Sequence, residues 1–309
     1  MTPIKTSRSL FLEVRGLRYH VRSWGRDGAP KIFMLHGFMD VSASYQFVVD
    51  ALRGDWQVLA PDWRGFGLTQ WAGRDSYWFP DYLADLDSLL DQLQPEGQIN
   101  LVGHSMGGNV TCMYSGIRPE RLRRVVNLDT YGLRATLPEE APLRYRAWMN
   151  EIDEGASLRD YASFEDLAER MRRNNPRLSP EKAAYLAPFW GRLNDKGRVE
   201  LACDPVHRFM NPVLFRVEES RACWANITAP VLTIEAGLTH TKAALGLSEE
   251  EIARRQSVFR NMRIHRLADS GHMLHHEQPE QVAALIEPFL LEEQPAPAQA
   301  VAGVTEGAR

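Results

Sequence analysis

Cysteine is scarce in this sequence, and no stretch is apolar for the length of a membrane span. The three cysteines, Cys112, Cys203 and Cys223, follow no regular spacing, which argues against a disulfide framework and against a cysteine-based zinc site. No run approaches the roughly 20 apolar residues that cross a bilayer. The N-terminus is broken by charges and has no apolar core of signal-peptide length. We therefore expect a cytoplasmic protein without a membrane span.

The sequence also lacks an excess of positive charge. Lysine and arginine total 36 against 40 aspartates and glutamates, which gives a net charge of -4. A protein with this balance has no electrostatic footprint for nucleic acid. The densest basic cluster, at residues 121–124, is typical of a solvated face. With 44% hydrophobic and 25% charged residues, the composition is that of a globular protein, and we expect a small-molecule partner and no nucleic acid.

Short apolar runs alternate with helical segments in two parts of the chain. The alternation runs to Asp129 and returns at Val231, and it predicts a mostly parallel sheet covered by helices on both faces. Residues 131–225 show no convincing buried strand and carry helix-start signals, so we predict a helical insertion there. The predicted domains are a core of residues 1–130 and 226–291, a helical cap of residues 131–225, and a disordered tail of residues 292–309, which is rich in Pro, Ala and Gly.

A Gly-x-Ser-x-Gly pattern at residues 103–107 follows an apolar run and precedes a helical one. This context is typical of a nucleophile elbow, in which glycines leave room for a sharp strand-to-helix turn. The serine of such a turn lies at a helix N-terminus, which favours the negative charge of an oxyanion. We predict that Ser105 is the nucleophile. The backbone N–H groups of Met106 and Phe38 are the predicted oxyanion-hole donors.

Histidines cluster before the last predicted helix. His272 follows Gly271 in a loop that can fold back toward Ser105, and we predict it as the catalytic base. His275 and His276 are predicted to be packing or surface groups. We predict no metal site and no cofactor here, because no acidic or cysteine partner appears at ligand spacing. Near the other predicted loop, His36 is interpreted as a structural brace of the oxyanion loop, and Asp40 as a second brace or a helix cap.

Together these motifs resemble those of the α/β-hydrolase superfamily, from about residue 10 to residue 291. The matching segments are "HGFMD" at 36–40, "DWRGFG" at 62–67, "GHSMGG" at 103–108 and "GHMLHHEQPEQV" at 271–282. The resemblance implies an α/β-hydrolase fold with a mostly parallel eight-stranded sheet and a helical cap inserted after the sixth strand. It also implies that Asp62 and Arg64 are structural.

The acid of a Ser-His-acid triad is missing from the turn where most members of this superfamily carry it. Thr239 and His240 occupy that turn after the strand at 231–235. A minority of members place the acid after the sixth strand, where this chain has Asp129, and the order Ser105, Asp129, His272 fits Ser…Asp…His. Glu235 is the alternative acid, although a residue within a strand should point sideways from the sheet. We therefore predict Asp129 and keep Glu235 as the competitor.

A serine nucleophile with a histidine base carries out acyl transfer, and we predict hydrolysis of a carboxylic ester through an acyl-enzyme. The same triad also supports hydrolysis of a C–C bond or a lactone. A third alternative is a ligand-binding scaffold without turnover, since a fold alone does not give function. Five aromatic side chains indicate a small apolar ester-like substrate, although a cap needs such residues for its own core: Trp71, Trp148, Phe189, Trp190 and Trp224.

Overall fold

The structure is a computed structural model of the 309-residue chain, and it describes residues 4–293. Its strands, in chain order, are β1 (Ser7–Val14), β2 (Leu17–Trp24), β3 (Lys31–Leu35), β4 (Gln57–Pro61), β5 (Ile99–His104), β6 (Leu122–Leu128), β7 (Asp160–Tyr161), β8 (Gly191–Leu193), β9 (Val199–Leu201), β10 (Val231–Ala236) and β11 (Met262–Leu267). Of the predicted tail, only residues 292 and 293 fall within the described part, so the tail prediction lies almost wholly outside it.

Eight of these strands form one central sheet in the spatial order β1-β2-β4-β3-β5-β6-β10-β11. The pairs β1–β2 and β2–β4 are antiparallel, whereas every pair from β4 to β11 is parallel. The prediction of a mostly parallel eight-stranded sheet is confirmed. In a parallel sheet the carboxyl ends of neighbouring strands lie at one edge, so the residues that follow β3, β5, β6 and β10 meet there.

Helices cover both faces of this sheet. The α-helices are α1 (Gln46–Ala51), α2 (Phe79–Leu93), α3 (Met106–Ile117), α4 (Ala141–Glu154), α5 (Phe164–Asn174), α6 (Pro180–Trp190), α7 (Val217–Ala225), α8 (Thr241–Ala244), α9 (Glu249–Gln256), α10 (Leu274–Glu277) and α11 (Pro279–Leu291). No helix of the described residues combines the length and the apolar character that crossing a bilayer would need.

The alternation of side chains along a strand divides the core in two. On β3, Phe33 and Leu35 join a cluster that contains residues of α2, α3 and α7, whereas Ile32 and Met34 join a second cluster that contains residues of α1 and α11. Because both faces of the sheet are covered, the central strands are continuous apolar runs rather than alternating ones. This explains why "IFML" at 32–35 is wholly buried.

The chain between β6 and β10 carries α4 to α7 and a small antiparallel sheet in the order β7-β9-β8. The expectation of no buried strand here needs a correction, because the sheet exists and buries Gly191 and Val199. Its strands have only two or three residues, too few to show a period in the sequence. The segment also has an apolar cluster of its own, formed by Leu167, Ala168, Met171, Leu178, Ala183, Leu186, Ala187 and Val199.

Candidate active site

Ser105 lies in a strained turn between β5 and α3, with φ 51° and ψ -115°. The flanking glycines have no room for a side chain. A Cβ atom on Gly103 would lie 2.4 Å from the Gly107 carbonyl oxygen, and one on Gly107 would lie 2.2 Å from the Leu35 carbonyl oxygen. Real Cβ atoms do not approach backbone this closely, so the turn requires glycine at both positions. Positive φ at a non-glycine residue is uncommon and is often found at functional sites.

The two residues whose backbone amides are the predicted oxyanion-hole donors line the same cavity as Ser105. Met106 is the first residue of α3, and Phe38 follows β3 by three residues; both line the cavity together with Ser105. Within residues 4–293, neither N–H donates to a backbone carbonyl outside the regular elements. A helix N-terminus carries partial positive charge, which favours an anion at this position.

His36 holds the loop that carries Phe38. Its Nδ1–H donates to the Gly37 carbonyl over 2.8 Å, and its Nε2 accepts from the Trp63 backbone N–H over 2.9 Å. Burial lowers the pKa of His36, so the ring stays neutral and keeps this acceptor. The side chain thus makes structural contacts of the kind expected from the sequence.

Asp62 and Arg64 also make structural contacts. Asp62 accepts hydrogen bonds from His20 and from the backbone N–H of Ser42, each over 2.7 Å. Burial alone would raise the pKa of Asp62, but the bond from His20 and its charge hold it well below the ordinary value. Arg64 binds Asp85 in a bidentate pair with both distances at 2.6 Å. Neither side chain lines the cavity that contains Ser105, within the described residues.

Asp129 is the carboxylate that contacts His272. Its Oδ2 lies 2.7 Å from His272 Nδ1. Asp129 follows the last residue of β6, and its Oδ1 accepts the backbone N–H of Ala236 over 3.0 Å and the Tyr131 hydroxyl over 2.9 Å. Burial, and then the negative charge of Asp129, raise the pKa of Tyr131, so this hydroxyl keeps its proton and donates. The carboxylate is thus held in one orientation, toward the histidine.

Glu235 has different partners. Its carboxylate lies 3.2 Å from Lys242 Nζ and accepts from Gln256 Nε2 over 2.8 Å. Glu235 is a buried residue of β10, and its side chain points toward α8 and α9, which carry these partners. The structure therefore places Asp129, and not Glu235, against His272.

The turn after β10 does contribute to the site, but with hydroxyl groups. Thr239 donates to Asp129 Oδ2 over 2.8 Å, and Thr241 Oγ1 lies 3.0 Å from His272 Nδ1. Sequence reasoning did not assign these threonines a role. Only the position of Thr239 in the sequence could have indicated this role. Thr239 occupies the turn in which an acid was expected, and it donates a hydrogen bond to Asp129, the acid that follows the neighbouring strand β6.

His272 Nδ1 is engaged by Asp129 and Thr241, which leaves Nε2 as the nitrogen for a substrate or for Ser105. In the described part of the chain no hydrogen bond joins Ser105 Oγ directly to His272. Catalytic hydrogen bonds are often long before a substrate is bound and shorten in the reacting complex. The arrangement has the components of a nucleophile, a base and an orienting acid.

A cavity of about 340 Å³ opens over Ser105, between the core and the helical segment that connects β6 to β10, which we call the cap. Aromatic and aliphatic side chains dominate its lining: Phe38, Tyr77, Trp78, Phe79, Tyr82, Met106, Tyr131, Leu133, Val206, Phe209, Met210 and Leu245. His207 also lines it, stacked between Phe66 and Tyr77 with both centroid distances at 3.8 Å. Burial lowers the pKa of His207 to about 3, so the cavity has no positive charge at this point near neutral pH.

The aromatics that the sequence suggested for this cavity lie elsewhere. Of the five, Trp224 is buried in the core, and the Trp190 indole donates to Ser44. Trp71 stacks under the Arg192 guanidinium, and Phe189 lies under that of Arg22. None of the five lines the cavity over Ser105 within residues 4–293. Aromatic content alone does not distinguish a lining residue from a packing residue, and of the two readings that the sequence left open for these five, the structure does not support the lining one.

His275 and His276 are both buried, so the surface alternative for them is wrong. The structure also brings an acidic partner to His275, which the sequence spacing did not show. Asp40, His104 and His275 offer ligand atoms that all lie within 4.8 Å of one another. Asp40 and His275 are 235 positions apart in the sequence, so ligand spacing along the chain could not reveal this group.

A strained serine at a strand-helix turn and a histidine in contact with a carboxylate that follows the next strand therefore lie at one edge of the central sheet. The model of the alpha/beta hydrolase family matches residues 32–285. The chain therefore belongs to the α/β-hydrolase family, and the fold prediction is confirmed.

Three relatives illustrate the range of this similarity. The chain is similar to a "Serine hydrolase-like protein" of Danio rerio, with 28% identity over 88% of this chain and 85% of that protein. It is 32% identical to a "Cis-3-alkyl-4-alkyloxetan-2-one decarboxylase" of Shewanella oneidensis over 58% of this chain and 57% of that protein. Among solved structures, the "Thioesterase Domain From Curacin Biosynthetic Pathway" aligns with a TM-score of 0.81 and 22% identity, over 91% of this chain and 98% of that one; this likeness concerns the fold.

Proposed function

We propose that this protein is a serine hydrolase that cleaves a carboxylic ester through an acyl-enzyme intermediate. The proposal depends above all on the 2.7 Å contact between Asp129 Oδ2 and His272 Nδ1, at the sheet edge that also carries the strained Ser105. Ser105 is the nucleophile, His272 the general base and acid, and Asp129 the orienting carboxylate. The Phe38 and Met106 backbone N–H groups are the oxyanion-hole donors.

In the first half of the reaction, Ser105 Oγ attacks the ester carbonyl carbon while His272 Nε2 takes its proton. Negative charge develops on the carbonyl oxygen, and the N–H groups of Phe38 and Met106 stabilise it. The C–O bond to the alcohol then breaks, and His272 returns the proton to the leaving alkoxide. The products of this half are a free alcohol and an ester of Ser105.

In the second half, water replaces the alcohol. His272 Nε2 takes a proton from the water as its oxygen attacks the acyl carbon, and the same two amides hold the oxyanion. The bond to Ser105 Oγ breaks, and His272 protonates Oγ. Asp129 keeps the ring in one tautomer and stabilises the imidazolium in both halves. The products are a carboxylic acid and the starting enzyme.

The substrate we propose is small, uncharged and apolar. The lining of the cavity is mostly aromatic and aliphatic, and its volume of about 340 Å³ falls in the range of small-molecule sites. A serine nucleophile, rather than an aspartate, favours acyl transfer over the opening of an epoxide or the displacement of a halide.

A lactone is the second candidate substrate. The Shewanella oneidensis relative is named for an oxetan-2-one, which is a four-membered cyclic ester. Attack of Ser105 on a lactone carbonyl uses the same groups, and the leaving alkoxide stays tethered to the acyl chain. Hydrolysis of a C–C bond by the same triad remains a chemical alternative without an observation that favours it. A panel of p-nitrophenyl esters and lactones of matched chain length separates the ester from the lactone.

Covalent labelling tests the nucleophile. A fluorophosphonate should add one adduct, on the peptide that contains Ser105, and Ser105→Ala should remove both the adduct and turnover. Ser76 lines the same cavity without lying in an elbow, so Ser76→Ala is the matched control and should still be labelled. Labelling of Ser105→Ala, or ester turnover by that variant at the normal rate, would exclude the proposed mechanism.

A further inference from the structure

A group of three buried side chains lies next to the candidate active site but outside its cavity. Asp40, His104 and His275 are at most 1% exposed, and one ligand atom of each lies within 4.8 Å of the others. In the described part of the chain, Asp40 Oδ2, His104 Nδ1 and both ring nitrogens of His275 have no hydrogen-bond partner. Buried polar atoms are nearly always partnered, so several orphans at one place need an explanation.

The hydrogen bonds around this group fix which atoms carry lone pairs. His104 Nε2 lies 2.8 Å from the carbonyl oxygen of His272. A carbonyl oxygen only accepts, so Nε2 carries the proton, and Nδ1 is the nitrogen of the neutral ring that keeps a lone pair. Asp40 Oδ1 accepts the backbone N–H of Val41 over 2.7 Å and the Ser44 hydroxyl. Its second oxygen, Oδ2, faces His275 Nε2 at 3.5 Å.

A proton on His275 does not satisfy this arrangement. An N–H on Nε2 would point at Asp40 Oδ2, but 3.5 Å is long for a charge-assisted hydrogen bond, which is normally about 2.7–2.9 Å. His104 Nδ1 would still lack a donor. Leaving a buried acceptor unpaired costs free energy, because the group loses its hydrogen bonds to water and gains none in the protein. A cation bound to all three atoms removes this cost at every one of them.

We propose that Asp40 Oδ2, His104 Nδ1 and His275 Nε2 bind one divalent transition-metal ion, with Zn²⁺ as the ion that the donor set fits. Imidazole nitrogens and a carboxylate oxygen are ordinary zinc ligands. The 3.5 Å between Asp40 Oδ2 and His275 Nε2 is close to the edge of a tetrahedron with bonds of about 2.1 Å, which is about 3.4 Å.

The position of the three ligands assigns the ion a structural role. None of them lines the cavity over Ser105 within the described residues, so the ion would not touch the substrate. Asp40 lies two positions after Phe38, His104 immediately precedes Ser105, and His275 lies three positions after His272. One ion would therefore crosslink the three loops that carry Phe38, Ser105 and His272. This effect on catalysis rests on the proposed function, whereas binding of the ion does not.

Metal content tests the site. The full-length protein is stripped with a chelator, loaded with Zn²⁺, desalted and analysed by mass spectrometry of the metal. We expect one equivalent of Zn²⁺, and loss of that equivalent in Asp40→Asn and in His275→Gln. His265 is exposed, so His265→Gln is the matched control and should keep the metal. Retention of no zinc by the wild-type protein, or equal loss in His265→Gln, would overturn the proposal.

Two further measurements cover variants that fail to fold. Co²⁺ bound to the wild-type protein should give visible absorption that the metal-free protein lacks, and Zn²⁺ should displace it. Anomalous diffraction at the zinc edge should give a peak among Asp40, His104 and His275; density without anomalous signal there, as for a water, refutes the site. Ser105→Ala should bind Zn²⁺ as the wild type does, so a failure of the proposed hydrolase function leaves this test unaffected.

Discussion

Backbone strain at single residues is concentrated around the proposed catalytic groups. Among the described residues, four that are not glycine have a positive φ: Arg15, Met39, Ser105 and Asp129. Ser105 and Asp129 are the proposed nucleophile and acid, and Met39 adjoins Phe38. Such conformations persist only where the surrounding structure enforces them. The close packing around Gly103 and Gly107 enforces the backbone conformation of Ser105. Hydrogen bonds from Ala236 at the end of β10 and from Thr239 in the following turn hold Asp129 in its conformation.

Replacement of Asp129 by asparagine tests the assignment of the acid. The amide has the same shape, but it cannot hold His272 in the tautomer with a proton on Nδ1 and cannot stabilise the imidazolium. We expect Asp129→Asn to lower kcat for an apolar p-nitrophenyl ester by roughly 10⁴-fold with little change in KM. Glu235→Gln is the matched control, because Glu235 is bound to Lys242 and Gln256 instead. A larger loss of kcat in Glu235→Gln than in Asp129→Asn would show that Glu235 of β10 is the acid.

The sequence identifies the residues of this site unevenly, for a physical reason. Ser105 and His272 can be identified from their neighbours in the sequence, because short-range steric constraints favour glycine near each of them. The choice of Asp129 needed both the empty turn at Thr239 and the likeness to a family. The contacts of Tyr131 and Thr241, and the group of Asp40, His104 and His275, join residues that are far apart in the chain. Their proximity depends on strand order and helix packing, which no local pattern records.

At the scale of elements, the close contact of α3 with the end of β3 sets the position of Ser105. A methyl group on Gly107 would meet the Leu35 carbonyl oxygen at 2.2 Å and that of His36 at 2.6 Å. Both obstacles are backbone, so α3 must move away from the sheet. We expect Gly107→Ala to lower the free energy of unfolding by about 3 kcal/mol and to abolish fluorophosphonate labelling.

The matched control for Gly107→Ala is Gly197→Ala. Gly197 has φ +70° and open space around its Cβ position, so alanine there carries only the left-handed backbone cost of about 1–2 kcal/mol. Denaturant unfolding of both variants measures the difference. Equal destabilisation by the two changes, with labelling intact in Gly107→Ala, would show that the helix contact does not set the serine.

Helix α4 is attached to the molecule differently from α3. It has no buried residue, and it contacts the segments near the cavity through polar groups. Trp148 Nε1 donates to the Asp75 carbonyl over 2.9 Å, and Arg144 Nη2 to that of Asn211 over 2.9 Å. Elements with little apolar burial open at low free energy. We expect amide hydrogens of α4 to exchange at least about 100-fold faster than those of α3, as measured by mass spectrometry.

A single variant shows whether those polar contacts hold α4. Arg144→Ala should speed exchange in α4 further and leave α3 unchanged, because the guanidinium bonds to Asn211 are lost. Arg146 is on the same helix and is exposed, so Arg146→Ala is the control and should have no such effect. Protection of α4 equal to that of α3 would contradict the inference.

Elements of regular pattern are well predicted from the sequence, and short ones are not. Helical spacing in the sequence covers residues 279–291, and the last helix, α11, begins and ends there. Helical spacing in the sequence starts at Tyr82, whereas α2 begins at Phe79, because the proline at 80 is compatible with the first turn of a helix. The strands β7, β8 and β9 were missed because two or three residues have no measurable period. Helix geometry arises from local interactions, whereas these strands exist only because they pair with one another.

At the scale of the whole molecule, His207 joins the cap to the core. It lies in a 3-10 turn of the cap, its ring is stacked between Phe66 and Tyr77 of the core, and its Nε2–H donates to the Arg64 carbonyl over 3.1 Å. Burial lowers the pKa of this imidazole from 6.5 to about 3. The folded protein therefore keeps the ring neutral at pH values where the unfolded chain binds a proton.

The sign of the pH dependence follows from this difference. Between about pH 6.5 and pH 3 the unfolded state binds more protons at His207 than the folded state does. The free energy of unfolding therefore falls as the pH falls, by about 1.4 kcal/mol per pH unit once the pH is well below 6.5. Above pH 7 the group contributes almost no pH dependence.

His207→Phe keeps a ring between Phe66 and Tyr77 but does not titrate. Between pH 7 and pH 5 we expect the wild type to lose about 2 kcal/mol more than this variant, as measured by urea unfolding. His265→Gln, at an exposed position, should follow the wild type, and parallel curves for wild type and His207→Phe would show that His207 is not buried as a neutral ring.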